Sequence, residues 1–228
     1  MKPKIQKQIS LAAFTLIELL VVISIIGVLS GFIIGGLKAA KTFQYKKTVT
    51  AELKFIENAI ESYKTKYGSY PPDNQHPIIA GSPGYDPYIY NQLYYELSGV
   101  TLAGGSYTTL DGAATITAVD YNTAFGVGGI VNVTQGGGED KIAAKNFLVN
   151  LSSKQINTYI SNKAIANTTV LITSVRGPDI SYQPFGVPDV NPFHYNSSHP
   201  TNNPNSYDLW VDLVINGKTN RFSNWTAR

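Results

Sequence analysis

Apolar positions along the chain follow two patterns, with a change near Leu37. Residues 14–37 form a run of 24 positions that is predominantly apolar and has a single charged side chain, Glu18. With a rise of about 1.5 Å per residue, a helix of this length reaches roughly 36 Å, enough to cross a hydrocarbon core with some tilt. The run therefore predicts a membrane-spanning helix.

Beyond Leu37 the apolar positions recur every three or four residues, as on one face of a helix. This stripe consists of Val49, Leu53, Ile56, Ile60, Tyr63 and Tyr67. It predicts that the helix continues over residues 38–67 and buries the stripe against a sheet. Gly68 suits the position after a helix end, and Pro71-Pro72 cannot continue a helix.

Gly35-Gly36 interrupts the predicted helix, and each glycine lowers helix stability by about 1 kcal/mol relative to alanine. Two interpretations are open at this point. Glycine allows helices to pack closely, and it also supplies a hinge.

The part of the chain after Pro72 predicts a domain of short mixed elements. Short helices are predicted over residues 88–97 and 140–151, and strands over 115–119, 127–133, 169–175 and 209–215. Asn216-Gly217 is a strong hairpin signal that leads into Arg221-Phe222. Residues 176–206 are rich in proline and asparagine and are predicted as a long loop.

The first 13 residues have the features of a cytoplasmic leader. They carry Lys2, Lys4 and Lys7 and no acidic side chain, which keeps such a segment on the cytoplasmic side of a membrane. The small pair Ala12-Ala13 comes before the apolar run, whereas a secretory signal is cleaved after its apolar core. Cleavage at Ala13 would therefore remove the leader and keep the membrane helix.

Glu18 lies four residues after Phe14, about 6 Å along a helix, and so stays near the cytoplasmic interface. An acid at a bilayer centre costs about 2.5–3.5 kcal/mol, whereas a helix N-terminus favours an anion by up to about 1 kcal/mol. One interpretation is an interfacial acid that the membrane tolerates. The other is a functional acid that pairs with a cation on a neighbouring subunit, the α-amine of Phe14 freed by cleavage.

The sequence from Ala13 through Phe14-Thr15-Leu16-Ile17-Glu18-Leu19-Leu20 resembles the prepilin cleavage and methylation motif of bacterial type IV pilins and pseudopilins. The resemblance implies cleavage between Ala13 and Phe14 by a prepilin peptidase, and N-methylation of Phe14. It also implies that Glu18 has the family's role in subunit docking. One position differs, because the residue before the cut is usually glycine and is Ala13 here.

A second pattern consists of residues 191–195, 203–210 and 223–225, together with Tyr70-Pro71 after the long helix. It resembles the C-terminal region of the major pseudopilin of type II secretion systems. It implies an α+β, pilin-like fold in which a long N-terminal α-helix, transmembrane in its first half, packs on a small antiparallel β-sheet domain. The predicted parts are a leader (1–13), a membrane and filament-core helix (14–37), its amphipathic continuation (38–67) and a globular periplasmic domain (68–228). The region 75–175 is longer than a compact major pseudopilin requires and is interpreted as an insertion.

The same resemblance implies a calcium site with oxygen ligands in the C-terminal loops. The acids available there are Asp189, Asp208 and Asp212. Asp208 and Asp212 flank a strand pattern four residues apart, which separates them by about 13 Å, so they would not easily share one ion. The alternative interpretation is that these acids cap loops.

Composition narrows the classes of function. The net charge is +3 and charged residues make up 14% of the chain, so no nucleic-acid partner is expected. The chain has no cysteine, and an exported domain then needs another constraint on its loops, such as a metal or dense packing. No Gly-x-Ser-x-Gly, phosphate-loop or His-Glu-x-x-His motif occurs, so no enzymatic activity is expected.

Together these features predict a structural subunit of a type IV-like filament, the pseudopilus of a type II protein secretion system, assembled as a homo-oligomer through its N-terminal helices. The implied partners are a prepilin peptidase and methyltransferase, other pseudopilins and an inner-membrane assembly platform. The implied location is the bacterial inner membrane, with a single pass, a cytoplasmic N-terminus and a periplasmic domain, and then a periplasmic or surface filament. The alternatives are a type IV pilus or DNA-uptake pilin, and a tip-located minor pilin that binds a ligand.

Overall fold

The computed structural model describes residues 14–75, 86–135, 142–159, 168–177, 182–184, 188 and 190–225. The chain divides into two units, Met1–Gln44 and Tyr45–Arg228. Helix α1, Leu16–Tyr67, contributes residues to both units and continues through Gly35-Gly36. The long N-terminal helix predicted from the sequence is therefore confirmed, as is the α+β class, because small and mainly antiparallel sheets follow it.

In the first unit, α1 carries large apolar side chains that are exposed. Leu16 is 83% exposed and Val28 is 61% exposed. By length and composition this helix is able to cross a membrane. Large exposed apolar surfaces mark sites of membrane or protein interaction, because covering them contributes about 25 cal/mol per Å².

The second unit is built around the C-terminal part of α1. The stripe predicted for this part is buried at all positions but the last, which is half-buried: Val49, Leu53, Ile56, Ile60, Tyr63 and Tyr67. The helix ends as predicted at Gly68, whose φ of 80° is in the left-handed region and whose N–H donates to the Lys64 carbonyl at 2.7 Å. Glycine adopts this conformation without strain, so it is a common residue after a helix end.

A short helix, α2 (Leu93–Ser98), leads into a four-stranded sheet. The strands are β1 (Val100–Ala103), β2 (Ser106–Thr109), β3 (Thr115–Thr117) and β4 (Val133–Thr134), in the order β3-β2-β1-β4. The β1–β2 and β2–β3 pairs are antiparallel, whereas β1 and β4 are parallel. Helix α3 (Ala118–Phe125) lies between β3 and β4 in the chain.

The helix predicted over residues 88–97 begins only at Leu93. Before Leu93, side chains form hydrogen bonds with backbone N–H and carbonyl groups that would otherwise bond within a helix. The Asp86 carboxylate accepts the Tyr88 N–H at 2.9 Å, and the Asn91 amide donates to the Tyr88 carbonyl at 2.6 Å. Such local bonds of Asp and Asn compete with helix formation.

The strand predicted over residues 115–119 ends at Thr117, and α3 begins at the next residue, Ala118. The Thr117 hydroxyl accepts the Asp120 N–H at 3.0 Å, so this threonine caps the N-terminus of α3. The sequence reasoning missed α3.

The strand predicted over residues 127–133 is wrong except at Val133, the first residue of β4. Two of its backbone donors are taken by one side chain, since the Glu96 carboxylate accepts the N–H groups of Val131 and Asn132 at 2.9 and 3.1 Å. Donors bound in this way cannot extend a β-ladder.

The helix predicted over residues 140–151 is wrong over its described part, 142–151, and residues 140 and 141 lie outside the described residues. The Lys145 N–H donates to the Asn132 side chain at 2.9 Å, and the Phe147 N–H donates to the Leu97 carbonyl at 2.8 Å. These donors bind neighbouring segments rather than the preceding turn.

Two further sheets lie in the described part of the second unit. Strands β5 (Ile156–Tyr159) and β6 (Thr168–Leu171) form an antiparallel pair. The third sheet is antiparallel and contains β7 (Phe193–Asn196), β8 (Asp208–Ile215) and β9 (Lys218–Ser223) in that order. Of the predicted strand 169–175, only residues 169–171 lie in β6.

The predicted C-terminal hairpin is confirmed. Asn216 and Gly217 join β8 to β9 with φ values of 54° and 71°. A two-residue turn with positive φ at both positions matches the twist of the strands that it connects.

In contrast, β7 lies inside the region 176–206 that was predicted as a loop, and all four of its residues are buried.

A buried acid lies where α1, α2 and the segment before β4 meet. Glu96 is inaccessible to solvent, and its carboxylate accepts the Tyr63 hydroxyl at 2.9 Å in addition to the two backbone N–H groups. The Asn132 amide continues this network and donates to the carbonyls of Glu96 and Lys145, both at 2.7 Å. Burial raises the pKa of Glu96, and the three hydrogen bonds to its carboxylate oppose that rise.

Replacement of Tyr63 by phenylalanine tests this network. Tyr63→Phe should lower the free energy of unfolding by about 1–3 kcal/mol, because the buried Glu96 side chain loses one of its three hydrogen-bond donors. Tyr121→Phe is the matched control, since Tyr121 is equally buried and its hydroxyl has no hydrogen-bond partner among the described residues. Denaturant unfolding of the detergent-solubilised full chain measures both variants. Equal losses of stability would contradict a specific role for the Tyr63–Glu96 bond.

Gly99, which joins α2 to β1, tests the packing of this junction against Lys145 and Asn132. It has a φ of 67°, and an added Cβ would lie 2.9 Å from the Lys145 carbonyl oxygen and 3.0 Å from the Asn132 amide nitrogen. Gly105 has a φ of 77° with nothing within 4 Å of such a Cβ. Gly105→Ala should therefore cost about 1–2 kcal/mol of unfolding free energy from backbone strain alone. Gly99→Ala should cost about 1–3 kcal/mol more, because overpacking against Lys145 and Asn132 adds to the strain of a backbone at φ 67° and ψ 152°, which few residues other than glycine adopt. Similar midpoints in thermal unfolding of the two variants would contradict this expectation.

Candidate functional site

The N-terminus of α1 forms a capping box around Glu18. The Thr15 N–H and the Thr15 hydroxyl both donate to Glu18 Oε2, at 2.8 and 2.7 Å, and the Thr15 hydroxyl accepts the Glu18 N–H at 3.3 Å. A threonine at the N-cap and an acid three residues later satisfy each other's backbone donors in this way. The sequence reasoning missed the role of Thr15, although the signal is present as Thr-x-x-Glu.

The capping box uses one carboxylate oxygen. Both hydrogen bonds to the side chain reach Oε2, and within the described part of the chain no hydrogen bond reaches Oε1. Glu18 itself is exposed. The acid is therefore fixed at the start of the helix and still presents an oxygen to an incoming donor.

The surroundings of Glu18 are apolar and exposed. Neighbouring side chains on α1 with exposures of 53–83% are Leu16, Ile17, Leu19 and Leu20. Phe14, just before the helix, is 81% exposed. A charge with an available oxygen inside such an apolar surface is suited to pairing where the surface becomes covered.

Cleavage and methylation remain predictions. Ala13, the residue before the predicted cut, lies outside the described residues, and Phe14 is the first residue described.

The predicted calcium ligands have other partners. Asp208 Oδ2 accepts the N–H groups of Thr201 and Asn202 at 2.9 and 3.0 Å and the Asn202 side-chain amide at 3.0 Å, while Oδ1 accepts the Asn203 N–H at 2.9 Å. These donors point their positive hydrogens at the carboxylate. Such a donor set does not fit a bound cation, which needs lone pairs directed at it.

Asp212 is likewise occupied, because Arg221 binds it through Nε at 2.9 Å and Nη2 at 2.7 Å. Asp189, the third candidate, lies outside the described residues. In the described ranges, no three His, Asp or Glu side chains come together in an arrangement that holds a metal ion. The contacts of Asp208 thus agree with the alternative that it caps a loop.

A second acid, Asp73, also accepts hydrogen bonds from the segment between β7 and β8. Its Oδ2 accepts the N–H groups of Ser197 and Ser198, both at 3.0 Å, and the Ser198 hydroxyl at 2.8 Å. Asp73 and Asp208 thereby fix the segment between β7 and β8 from two sides. The sequence offers no local signal for Asp73, because its partners lie more than a hundred residues away in the chain.

Comparison with known proteins gives a short match. The chain is 39% identical over 62 residues to type II secretion system core protein G of Escherichia coli (strain K12). The matched segment covers 27% of this chain and 43% of that protein, so less than half of the relative is spanned. No family model and no solved structure matches the chain. This short similarity to a type II secretion system protein agrees with the resemblance carried by the N-terminal motif.

Proposed function

We propose that the chain is a structural, non-catalytic subunit of a type IV-like filament, the pseudopilus of a type II protein secretion system. The observation that carries the proposal is the start of α1, where residues 14–37 are predominantly apolar and carry one acid, Glu18, which lies four residues after Phe14. Such an exposed apolar surface marks a site of contact with lipid or with other proteins. Before assembly it contacts the membrane, and after assembly it contacts the helices of neighbouring subunits.

Before assembly, residues 14–37 anchor the subunit in the bacterial inner membrane. The leader, residues 1–13, stays cytoplasmic because of its lysines, and residues 68–228 lie in the periplasm. A prepilin peptidase cleaves between Ala13 and Phe14, and Phe14 is then N-methylated. The processed subunit joins other pseudopilins at an inner-membrane assembly platform.

In the filament core, Glu18 of one subunit pairs with the α-amine of Phe14 on a neighbour. An unpaired charge in an apolar interior costs several kcal/mol, so each of the two groups needs the other. Since Thr15 binds only Oε2 of Glu18, the other oxygen accepts the amine without breaking the capping box. Capping and docking are therefore compatible roles for one side chain.

The choice of a secretion filament is supported by the short match. The matched protein is by name a core component of a type II secretion system. This favours the secretion pseudopilus over the type IV pilus, the DNA-uptake filament and the tip-located minor pilin.

Substitution of Glu18 tests the docking role. Glu18→Ala and Glu18→Gln should both insert into the membrane normally, because removing a charge from an apolar helix does not raise the free-energy cost of its insertion. Both should reduce filament yield about ten-fold or more, since a loss of about 1.4 kcal/mol per contact already changes an association constant ten-fold. Membrane fractionation measures insertion, and electron microscopy of sheared filaments measures assembly.

Glutamine at position 18 retains an acceptor oxygen for the capping box, whereas alanine does not. The two variants therefore distinguish loss of the charge from loss of the cap. Thr15→Val is the complementary control, since it removes the hydroxyl of the cap and keeps the acid. If Thr15→Val abolishes filaments while Glu18→Gln assembles normally, Glu18 acts as a helix cap and the pairing proposal is wrong.

Processing has its own test. The mature chain purified from membranes should lack residues 1–13 and begin with N-methylated Phe14, as measured by intact-mass and N-terminal peptide mass spectrometry. In cells without a prepilin peptidase the full chain should accumulate. A mature protein that retains Ala13 would refute the assigned cleavage site.

A further inference from the structure

A pocket of about 420 Å³ lies on one face of the β7-β8-β9 sheet. The strand register brings its wall together, because His194 on β7 is opposite Trp210 on β8, and Asp212 on β8 is opposite Arg221 on β9. Trp210 and Asp212 are two residues apart on one strand and so point to the same face. Asp86 and Tyr182 complete the polar lining from neighbouring segments. All these residues belong to the second unit.

The charges of this pocket do not cancel. Asp212 and Arg221 form a two-pronged ion pair, with contacts of 2.9 and 2.7 Å, and neutralise each other. Burial lowers the pKa of His194, and the nearby carboxylate of Asp86 only partly opposes this effect, so the imidazole is neutral at pH 7. Among the described lining residues, Asp86 therefore carries the one uncompensated charge.

Asp86 is able to receive a ligand. Its Oδ1 accepts the Tyr88 N–H at 2.9 Å, whereas its Oδ2 lies 3.7 Å from His194 Nε2, beyond hydrogen-bond distance. Its side chain is 37% exposed. The carboxylate thus offers free acceptor positions at the rim of the pocket.

Aromatic rings line the space beside this carboxylate. The His194 ring stacks on Trp210 with centroids 4.7 Å apart and an angle of 15° between the planes. The guanidinium carbon of Arg221 lies 5.6 Å from the Trp210 ring centroid, a separation at which cations are attracted to an indole. The pKa of the Tyr182 phenol is raised to about 12, first by burial and then by Asp212 and Asp86, whereas Arg221 lowers it.

We propose that this pocket binds an arginine side chain presented by a partner protein. A guanidinium is planar, stays charged and binds a carboxylate through two parallel hydrogen bonds, so it matches both Asp86 and the aromatic walls. The ion pair with Arg221 keeps Asp212 from competing for the incoming cation. The proposal does not rest on the filament assignment, since it uses no residue of the first unit.

A matched pair of small ligands tests the charge requirement. N-acetyl-arginine amide should change the tryptophan fluorescence of the detergent-solubilised full chain in a saturable way. N-acetyl-citrulline amide, which has nearly the same shape and no charge, should bind at least about ten-fold more weakly. The chain has two tryptophans, so the measurement is made in a Trp225→Phe background, in which Trp210 is the reporter.

A matched pair of variants tests the site. Asp86→Asn keeps an oxygen for the Tyr88 N–H and removes the charge, and it should weaken binding of N-acetyl-arginine amide about ten-fold or more. Asp120→Asn makes the same change on α3, outside the pocket lining, and should leave the affinity unchanged. The proposal is overturned by a lack of saturable binding, by equal affinity for the citrulline ligand, or by unchanged affinity in Asp86→Asn. Equally tight binding of N-acetyl-lysine amide would overturn the assignment to arginine.

Discussion

The second unit depends on one buried carboxylate. Glu96 on α2 accepts the Tyr63 hydroxyl from α1 and the N–H groups of Val131 and Asn132 from the segment before β4. A buried acid without partners costs several kcal/mol, so the elements that supply these three donors are fixed relative to one another. Asn132 then binds Lys145 through both its amide nitrogen and its amide oxygen, which carries the same constraint into the segment after residue 142.

Carboxylates also fix the C-terminal loops, in a chain that has no cysteine to form a disulfide. Asp73 binds the backbone of Ser197 and Ser198, and Asp208 binds the backbone of residues 201–203. Hydrogen bonds from neutral donors to a charged acceptor contribute about 1.5–3 kcal/mol each, so several of them offset much of the entropy of ordering a loop. The constraint that the absence of cysteine requires is therefore provided, in the described loops, by hydrogen-bonded carboxylates.

The elements that the sequence predicted correctly are those with a local physical cause. The stripe from Val49 to Tyr67 follows the helical period, and Asn216-Gly217 tolerates the positive φ of a tight hairpin. The predictions failed over residues 127–132 and 142–151, where side chains such as Glu96 and Asn132 bind backbone donors of distant segments. These contacts leave no periodic signal in the sequence. The same distinction applies to the functional sites. The cap formed by Thr15 is local and can be recognised in the sequence as Thr-x-x-Glu. The pocket lined by Asp86, Trp210 and Arg221 forms only when β7, β8 and β9 pair, so the sequence gives no local signal for it.

The capping box changes how the acid at the start of α1 is understood. A free glutamate side chain loses about 1.5–2 kcal/mol of rotamer entropy when it is immobilised in a contact. At Glu18 much of that cost is already met within the subunit, because two hydrogen bonds from Thr15 hold the carboxylate at the helix N-terminus. In the proposed filament, the neighbour's amine would then meet an acid whose position is set and whose Oε1 is available. The bond that makes Glu18 a good cap therefore also makes it a better docking group, since the pairing energy is not spent on ordering the side chain.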